Sequence, residues 1–524
     1  MHIPVITTLV NKRHRSKIKI ASKGYEKLKS KGDLELLLRL KDTLTKTKLN
    51  DADLLRKVIC YDDFDVELSV RQYLTTRVLG LSFNKSILCS VGSGRSLSHP
   101  LPKKWRVVLI ENGISVNNFG CAVLWHMHGF LSWGRVVLKG LLSIYSLLKK
   151  QPHLGKYAYF DLLSSNNVST DINSHNIVNW YLQWKNRNTE INSICHSVDG
   201  ILNFKLDDID IIQTDVLPKL KKFQLLQYVG FFTYTVIYSF VWLFFRPSYG
   251  FLMEEVLKLK IVDLANDVDL ARDYLFHCSF ALFRPLWTYL AEAKGSRILL
   301  YHYSTNDAVF KTKDGYPLQD PWHLMSWSHH LVWNESQADF IKGLCQNSMV
   351  TEEVGPIWFS SSGEKIEARS NSIAVFDVTP TKYDKYILLG LNTEYYVYNT
   401  SSKFLSDIYH VLSNQNISML HKMKRKSKFS DDMYLRKISQ LSEKVNYTSI
   451  DPGLDALNII QQTKACISMP FTSTALIAKH EGKPSVYYDP SGNIQKDDMA
   501  AHGIQVINNL YELEEWVKTS IVNK

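Results

Sequence analysis

The chain has 524 residues, 45% hydrophobic and 22% charged, with 24 Gly and 15 Pro; this excludes a disordered, collagen-like or disulfide-scaffold protein and allows two substantial domains plus extensions. The formal net charge of +11 points to an anionic partner, phosphates or an acidic membrane face. Nucleic acid ranks last, because no aromatic platform or zinc-ligand spacing accompanies the basic residues.

Seven scattered cysteines, never in CxxC spacing, fit a reducing compartment. "MHIPVITTLVNKRHR" puts its apolar patch before its charges, the reverse of a secretory signal, so a cytoplasmic location is expected. Much of the positive charge falls in "NKRHRSKIKIASKGYEKLKSK" (11–31), which reads as a solvated segment or a basic arm on anionic lipid. Residues 1–60 form a basic, helical N-terminal extension, since leucines recur at three- and four-residue spacing over 34–58.

Short β-rich runs follow: "SILCSV" (86–91), "WRVVLIE" (105–111), "GILNF" (200–204) and "RILLYHYS" (297–304), separated by helical patterns at 251–266 and 270–292. Strand and helix in alternation predict a parallel sheet over 61–355, with an apolar helical insertion at about 205–295. Within it "YVGFFTYTVIYSFVWLFF" (228–245) holds no charge and reads as a buried core helix, a membrane-interface element or a span. The amphipathic stretch 130–149 fits a surface-lying helix or core packing.

A Pro, Gly and Ser-rich segment (356–371) is the expected linker. Beyond it, strands at 372–378, 417–423, 465–469, 484–489 and 504–507 alternate with helices, giving a second Rossmann-like domain over 372–524. The predicted class is α/β, with two Rossmann-like domains whose parallel sheets face a central cleft. Ligands of such sheets bind at the carboxyl ends of the strands.

Residues at those ends are the candidates. In "CISMPFTSTALIAKH" Pro470 blocks further pairing, and Thr472, Ser473 and Thr474 start a helix whose free N–H groups attract anions; the bland reading is a helix cap. "LHKMKRK" brings His421, Lys422, Lys424 and Arg425 to a neighbouring strand end, as phosphate-neutralising groups or as a solvated basic turn. Gly92-Ser93-Gly94-Arg95 follows the 86–91 run as a flexible turn with a cation, lacking the GK[ST] of a P-loop. Glu111, ahead of Asn112-Gly113, is a candidate nucleophile or general base, or an exposed turn acid. Asn306, Asp377 and Asp489 stand at further strand ends, Asp489 within an ordinary Asp-Pro-Ser-Gly turn. No metal-ligand spacing appears, so neither metal nor cofactor is expected. His329 and His330 in "WSHHLVW" read as packing.

Pro470-Phe471-Thr472-Ser473, with "ALFRPLWTYLAEAKGSRILLYHYSTN" (281–306), "VGPIW" (354–358), "IAVFDVTP" (373–380) and "KMKRK" (422–426), resembles the bacterial polysaccharide-biosynthesis proteins named for their PFTS motif, from about residue 80 onward. The resemblance implies a surface-glycan glycosyltransferase of two-domain GT-B architecture, moving sugar from a nucleotide donor to a glycan or lipid-linked acceptor. A more distant likeness is to retaining transferases that use CMP-activated ulosonic acids and to bacterial sialyltransferases. Glu111-Asn112-Gly113 matches their acidic-acidic-Gly motif with Asn in the middle. His421-Lys422 matches their His-Pro motif without the proline, and Thr472-Ser473 their Ser/Thr pair. With this likeness a CMP-ulosonate donor is favoured and a UDP-sugar next; the lack of metal-ligand spacing predicts a metal-independent enzyme, and the basic balance and apolar segments predict peripheral contact with the inner membrane face. A nucleotide-sugar epimerase of the same fold and a non-catalytic assembly scaffold are the alternatives.

Overall fold

The computed structural model describes residues 4–49, 51, 53–56, 66–147, 154–161, 176–184, 191–199, 203–278, 283–304, 310–311, 313–316, 324–345, 349–357, 371–383, 386–387, 397–424 and 430–522, with side chains described from residue 16 onward and not at 145 or 146. Asn306, Arg425 and most of the expected linker lie outside the described residues.

The first part of the chain is helical well past residue 60. Helices α1 (Pro4–Ser30), α2 (Leu36–Lys46), α3 (Asp53–Arg56), α4 (Val66–Val78), α5 (Leu81–Ser93), α6 (Lys103–Glu111) and α7 (Asn118–Leu147) precede the first strand among the described residues. The runs 86–91 and 105–111, expected as strands, are therefore helices α5 and α6. Their burial has helical spacing: Phe83 and Ile87 face inward from α5, Trp105 and Leu109 from α6, while Val107 and Ile110 are exposed. Pro102 opens α6, and Gly94, at φ 68°, closes α5, where a left-handed residue ends a helix cheaply.

The first sheet comprises β1 (Tyr157–Phe160), β2 (Ser193–His196), β3 (Phe204–Leu206), β4 (Ile209–Gln213), β5 (Asp273–His277), β6 (Arg297–Tyr301), β7 (His329–Val332) and β8 (Val350–Glu353). Their order is β3-β4-β2-β1-β5-β6-β7-β8, and every pairing is parallel except β3 with β4. Helices α8 (Ile177–Gln183), α9 (Lys222–Leu243), α10 (Ser248–Leu264), α11 (Trp287–Ala293) and α12 (Glu335–Leu344) fall between or after these strands. The helix expected over 270–292 is thus β5 followed by α11, and His330, read as packing, lies in β7.

Side-chain alternation gives this sheet two cores. Ala158, Phe160, Ile194, Leu275, Leu299 and Tyr301 join a core shared with the C-terminal domain. Tyr157, Tyr159, Cys195, Tyr274, Phe276 and Leu300 pack instead against the N-terminal helices and α10. The extension and the insertion are consequently one helical layer over the first sheet.

The second sheet comprises β9 (Ser372–Phe376), β10 (Ser418–Lys422), β11 (Tyr447–Ile450), β12 (Ala465–Ser468), β13 (Ser485–Tyr488) and β14 (Val506–Ile507), all parallel, in the order β11-β10-β9-β12-β13-β14. Between them run α13 (Tyr398–Asn414), α14 (Asp432–Ser442), α15 (Ala456–Gln461) and α16 (Ser473–His480), and α17 (Leu510–Val517) follows β14. Counted along the chain this is the 3-2-1-4-5-6 order of a dinucleotide-type doubly wound sheet, whose ligand crevice opens where the order reverses, between β9 and β12. The two sheets, one parallel but for β3 and one wholly parallel, are those of a GT-B-like α/β fold. They meet where the Phe310 and Phe471 rings lie 5.4 Å apart, and where Asp498 accepts bonds from the Lys311 amide and the Tyr316 hydroxyl, each 2.8 Å.

Candidate functional site

Register sets the floor of the crevice. Ile450, Lys422, Phe376 and Ser468 are level across β11, β10, β9 and β12, so the residues that follow emerge along one edge. Past β12 the chain turns at Met469–Phe471 and enters α16. Thr472 occupies the N-cap position, yet no side chain caps the helix. The Thr472 hydroxyl donates instead to the Met469 carbonyl (2.8 Å), and the Thr474 hydroxyl is bonded to Ser468 and to Thr472, at 2.8 and 3.1 Å. The hydroxyls are tied to the strand and leave the helix's first amides to another acceptor. Ser473, half-buried at the first helical position, stands beside them. Such an end favours an anion through its N–H groups and its dipole.

Across the reversal, Asp377 follows β9 and is buried. Its Oδ2 accepts from the Tyr434 hydroxyl and lies 3.2 Å from His421 Nε2, while His421 Nδ1 meets the Tyr447 hydroxyl at 2.7 Å. Asp377 Oδ1 has no hydrogen-bond partner among the described residues. His421 is therefore buried between β9 and β11, bonded to Tyr447, with its Nε2 beside Asp377 but without a hydrogen-bond partner among the described residues, and does not project from the strand end. Burial, reinforced by Asp377, holds the Tyr434 hydroxyl far above its ordinary range.

Lys422 is not an open phosphate-binding cation. Burial lowers its pKa against the opposing pull of Asp455, Asp377 and Asp451. Asp455, pushed up to about 6 by burial, caps α15 through the Leu457 amide. Lys424 is exposed. Asp489 is spent on its own turn: it accepts from the Ser491 amide and hydroxyl and from the Ile494 amide, at 2.9, 2.6 and 2.8 Å.

The N-terminal candidates are not at strand ends. Glu111 closes α6 on the surface. Gly92 lies inside α5, where an added Cβ would sit 2.2 Å from the Ile20 carbonyl oxygen of α1; it permits two helices to touch. Gly94 is a helix terminator, and Arg95 follows it within the helical layer.

The first sheet has its own reversal, between β1 and β5, and two groups absent from the sequence-derived candidates stand there. Asp161 follows β1, its amide bonded to the Leu275 carbonyl at 3.0 Å. His277 ends β5, its ring 5.5 Å from Tyr303, and burial lowers its pKa and favours the neutral form. The available signal was "YAYFD" (157–161), a short aromatic run ending in a carboxylate, as in "AVFD" at 374–377.

Residues 235–517 match the family model described as polysaccharide biosynthesis PFTS motif protein. The chain belongs to that family. The match to this PFTS-motif protein begins at 235, later than residue 80, so Gly92, Gly94, Arg95 and Glu111 precede it, and Thr472 and Ser473 lie within it. No curated protein matches the sequence.

Among solved structures, the PFTS-motif protein resembles the wall teichoic acid polymerase TagF (10% identity, covering 75% of this chain and 89% of that one, TM-score 0.36). It also resembles a UDP-glucosyltransferase from Polygonum tinctorium (10%, 65% and 81%, 0.33) and the UDP-GlcNAc 2-epimerase of Methanocaldococcus jannaschii (10%, 70% and 93%, 0.32).

Proposed function

We propose that this protein is a glycosyltransferase of surface-polysaccharide assembly, transferring sugar from a nucleotide donor to a glycan or lipid-linked acceptor in the cytoplasm. The observation that carries it is the uncapped N-terminus of α16 at the β9/β12 reversal, with Ser473 beside it. The donor phosphate accepts from the first amides of α16 and from Ser473, with Lys424 and Arg425 adding charge. Leaving-group charge is met by these groups without a metal.

The acceptor hydroxyl is activated from the opposite domain by Asp161 or His277, the role first given to Glu111. Neutral His277 can take a proton directly. CMP-ulosonate and UDP-sugar donors are the two candidates. The first loses support because Glu111-Asn112-Gly113, one of its three motif matches, ends a helix.

Thermal-shift titration with CMP, UDP, GDP and dTDP tests the reading. One nucleotide is expected to raise the melting temperature, and its sugar conjugate to be consumed only when acceptor is present. Turnover of free nucleotide sugar without acceptor makes the protein an epimerase, and no response to any nucleotide removes the site.

A further inference from the structure

α7 and α9 pack side by side and antiparallel. Trp133 Nε1 donates to Ser239 Oγ at 3.0 Å, the Phe130 and Phe244 rings lie 5.2 Å apart, and a Cβ on Gly140 would strike Phe232. α10 lies behind both: Gly250 approaches so closely that its Cβ would be 2.1 Å from the Gly129 carbonyl oxygen, and most of α10 is buried. The inward face of α9 is Leu225, Tyr228, Phe232, Thr235, Ser239 and Leu243, at helical spacing.

The outward faces are apolar as well. Phe119 (81% exposed), Leu131 (69%), Leu226 (70%) and Ile237 (61%) belong to a set of more than a dozen large apolar side chains exposed along the two helices. The aromatic members Phe119, Phe223, Tyr234, Phe240 and Trp242, at ~150–250 Å² each and scaled by their exposures, contribute roughly 400–700 Å² by themselves, already as much as the roughly 300–600 Å² of the largest patch on a typical monomer. α9 is long and apolar enough to cross a bilayer, about 33 Å, but its inner face is committed to the protein.

Charge identifies what covers the patch. Neither α7 nor α9 contains an Asp or Glu; Arg135 and Lys222 lie on them, Lys139 pairs with Glu254 of α10 at 3.7 Å, and Lys103 and Lys104 start the adjoining α6. Beside the start of α7 opens a hollow of about 610 Å³, lined by Lys17, Lys85, Arg95, Ser90, Ser93 and Ser96 among others, with no acid in its wall. Its 95–98 edge is joined to the approach to α7: Leu97 bridges to Val116, and the Ser96 and Ser115 hydroxyls meet at 2.8 Å. A wide acid-free apolar face with a cationic, hydroxyl-lined hollow at one end complements an interface of acyl chains and anionic headgroups.

We propose that the outward face of α7 and α9 seats the protein on one leaflet of a bilayer containing anionic phospholipid, and that the Lys17–Lys85–Arg95 hollow receives a headgroup phosphate. The seating needs no turnover and stands independently of the transferase reading.

Flotation of the full-length protein with vesicles of phosphatidylcholine, with and without phosphatidylglycerol, tests it. Binding is expected with both, and roughly tenfold tighter with phosphatidylglycerol. The triple variant Leu131→Asp, Leu226→Asp, Ile237→Asp changes only exposed positions, and should float roughly a hundredfold less while keeping its melting temperature. Lys17→Glu with Arg95→Glu should erase the preference for phosphatidylglycerol. Quenching of wild-type tryptophan fluorescence by brominated phospholipid needs no substitution and is expected. Absence of flotation or quenching overturns the proposal. So does a wild-type dimer, by light scattering, that the triple variant dissolves and that never floats. Inorganic phosphate binding in the hollow without altering the lipid preference overturns the headgroup assignment.

Discussion

Ser473→Asp separates a ligand-binding helix end from a merely structural one, because its effects on stability and affinity have opposite signs. The new carboxylate stands at the first position of α16, which no side chain caps. An acid in the first turn of a helix stabilises by about 0.3–1 kcal/mol, so the melting temperature of the unliganded protein should hold or rise by ~2 °C. The same charge then occupies the place proposed for the donor phosphate. Two unit charges ~4 Å apart repel by about 4 kcal/mol at an effective dielectric of about 20. Salt and the half-open position reduce that to about 2–3 kcal/mol, a loss of roughly 30- to 150-fold in nucleotide affinity. Isothermal titration with whichever nucleotide stabilises the wild type reads the affinity, and calorimetry reads the melt. Unchanged affinity in a variant that melts no lower refutes the phosphate site. A variant that loses affinity only because it melts several degrees lower refutes the reasoning about the open helix end.

Two further outcomes test the frame around the site. Gly92→Ala pushes a methyl against the α1 backbone, 2.2 Å from the Ile20 carbonyl oxygen and 2.7 Å from the Gly24 nitrogen. Overpacking of this kind costs about 1–3 kcal/mol, so chemical denaturation should show reduced stability while nucleotide affinity persists; lost affinity at full stability would return Gly92 to a binding role. Acidification should also destabilise. Burial lowers the pKa of His302 far below its ordinary value and holds His330 and His502 at about 4. The unfolded chain therefore binds more protons as pH falls below about 6.5, and each histidine removes up to about 1.4 kcal/mol per pH unit until its folded pKa is reached. The melting temperature should fall between pH 6.5 and 4, less steeply than the histidines alone dictate, because Asp51 and Asp455, raised to about 6 by burial, take up protons first in the folded state and oppose the loss; an imidazole NMR titration that finds His330 and His502 half-protonated near pH 6.5 contradicts the burial of these rings.

The C-terminal half was legible because each of its longer strands is a short apolar run buried on both faces and bounded by turn residues. "SIAVF", "SMLHK" and "SVYY" fall where the sequence placed them, and the start of α16 was visible in Pro470 and the hydroxyls behind it. In the N-terminal half the same logic misled. "SILCSV" and "WRVVLIE" are apolar runs too short for periodicity to separate strand from helix, and the Trp105–Leu109 spacing that decides it shows only once burial is known. β1, β2 and β7 are four residues each and carry Tyr, His and Cys among their apolar positions, so they made little signal. Glu111 lost its strand end by that error, and Asp161 and His277 were overlooked by it. His421 and Lys422 were placed on the correct strand, but the partners that hold them inward, Asp377, Tyr447 and Asp455, come from other strand ends that only the fold brings near.

Tyr157 and Tyr159 look one way from β1 while Ala158 and Phe160 look the other. A four-residue strand thus answers to two neighbours at once and cannot be edited for either alone. Deleting a single residue there would exchange the allegiance of every side chain, prising the helices from one side and the partner domain from the other. Substitutions in the N-terminal helical layer and in the C-terminal domain are therefore coupled through that short piece of shared backbone.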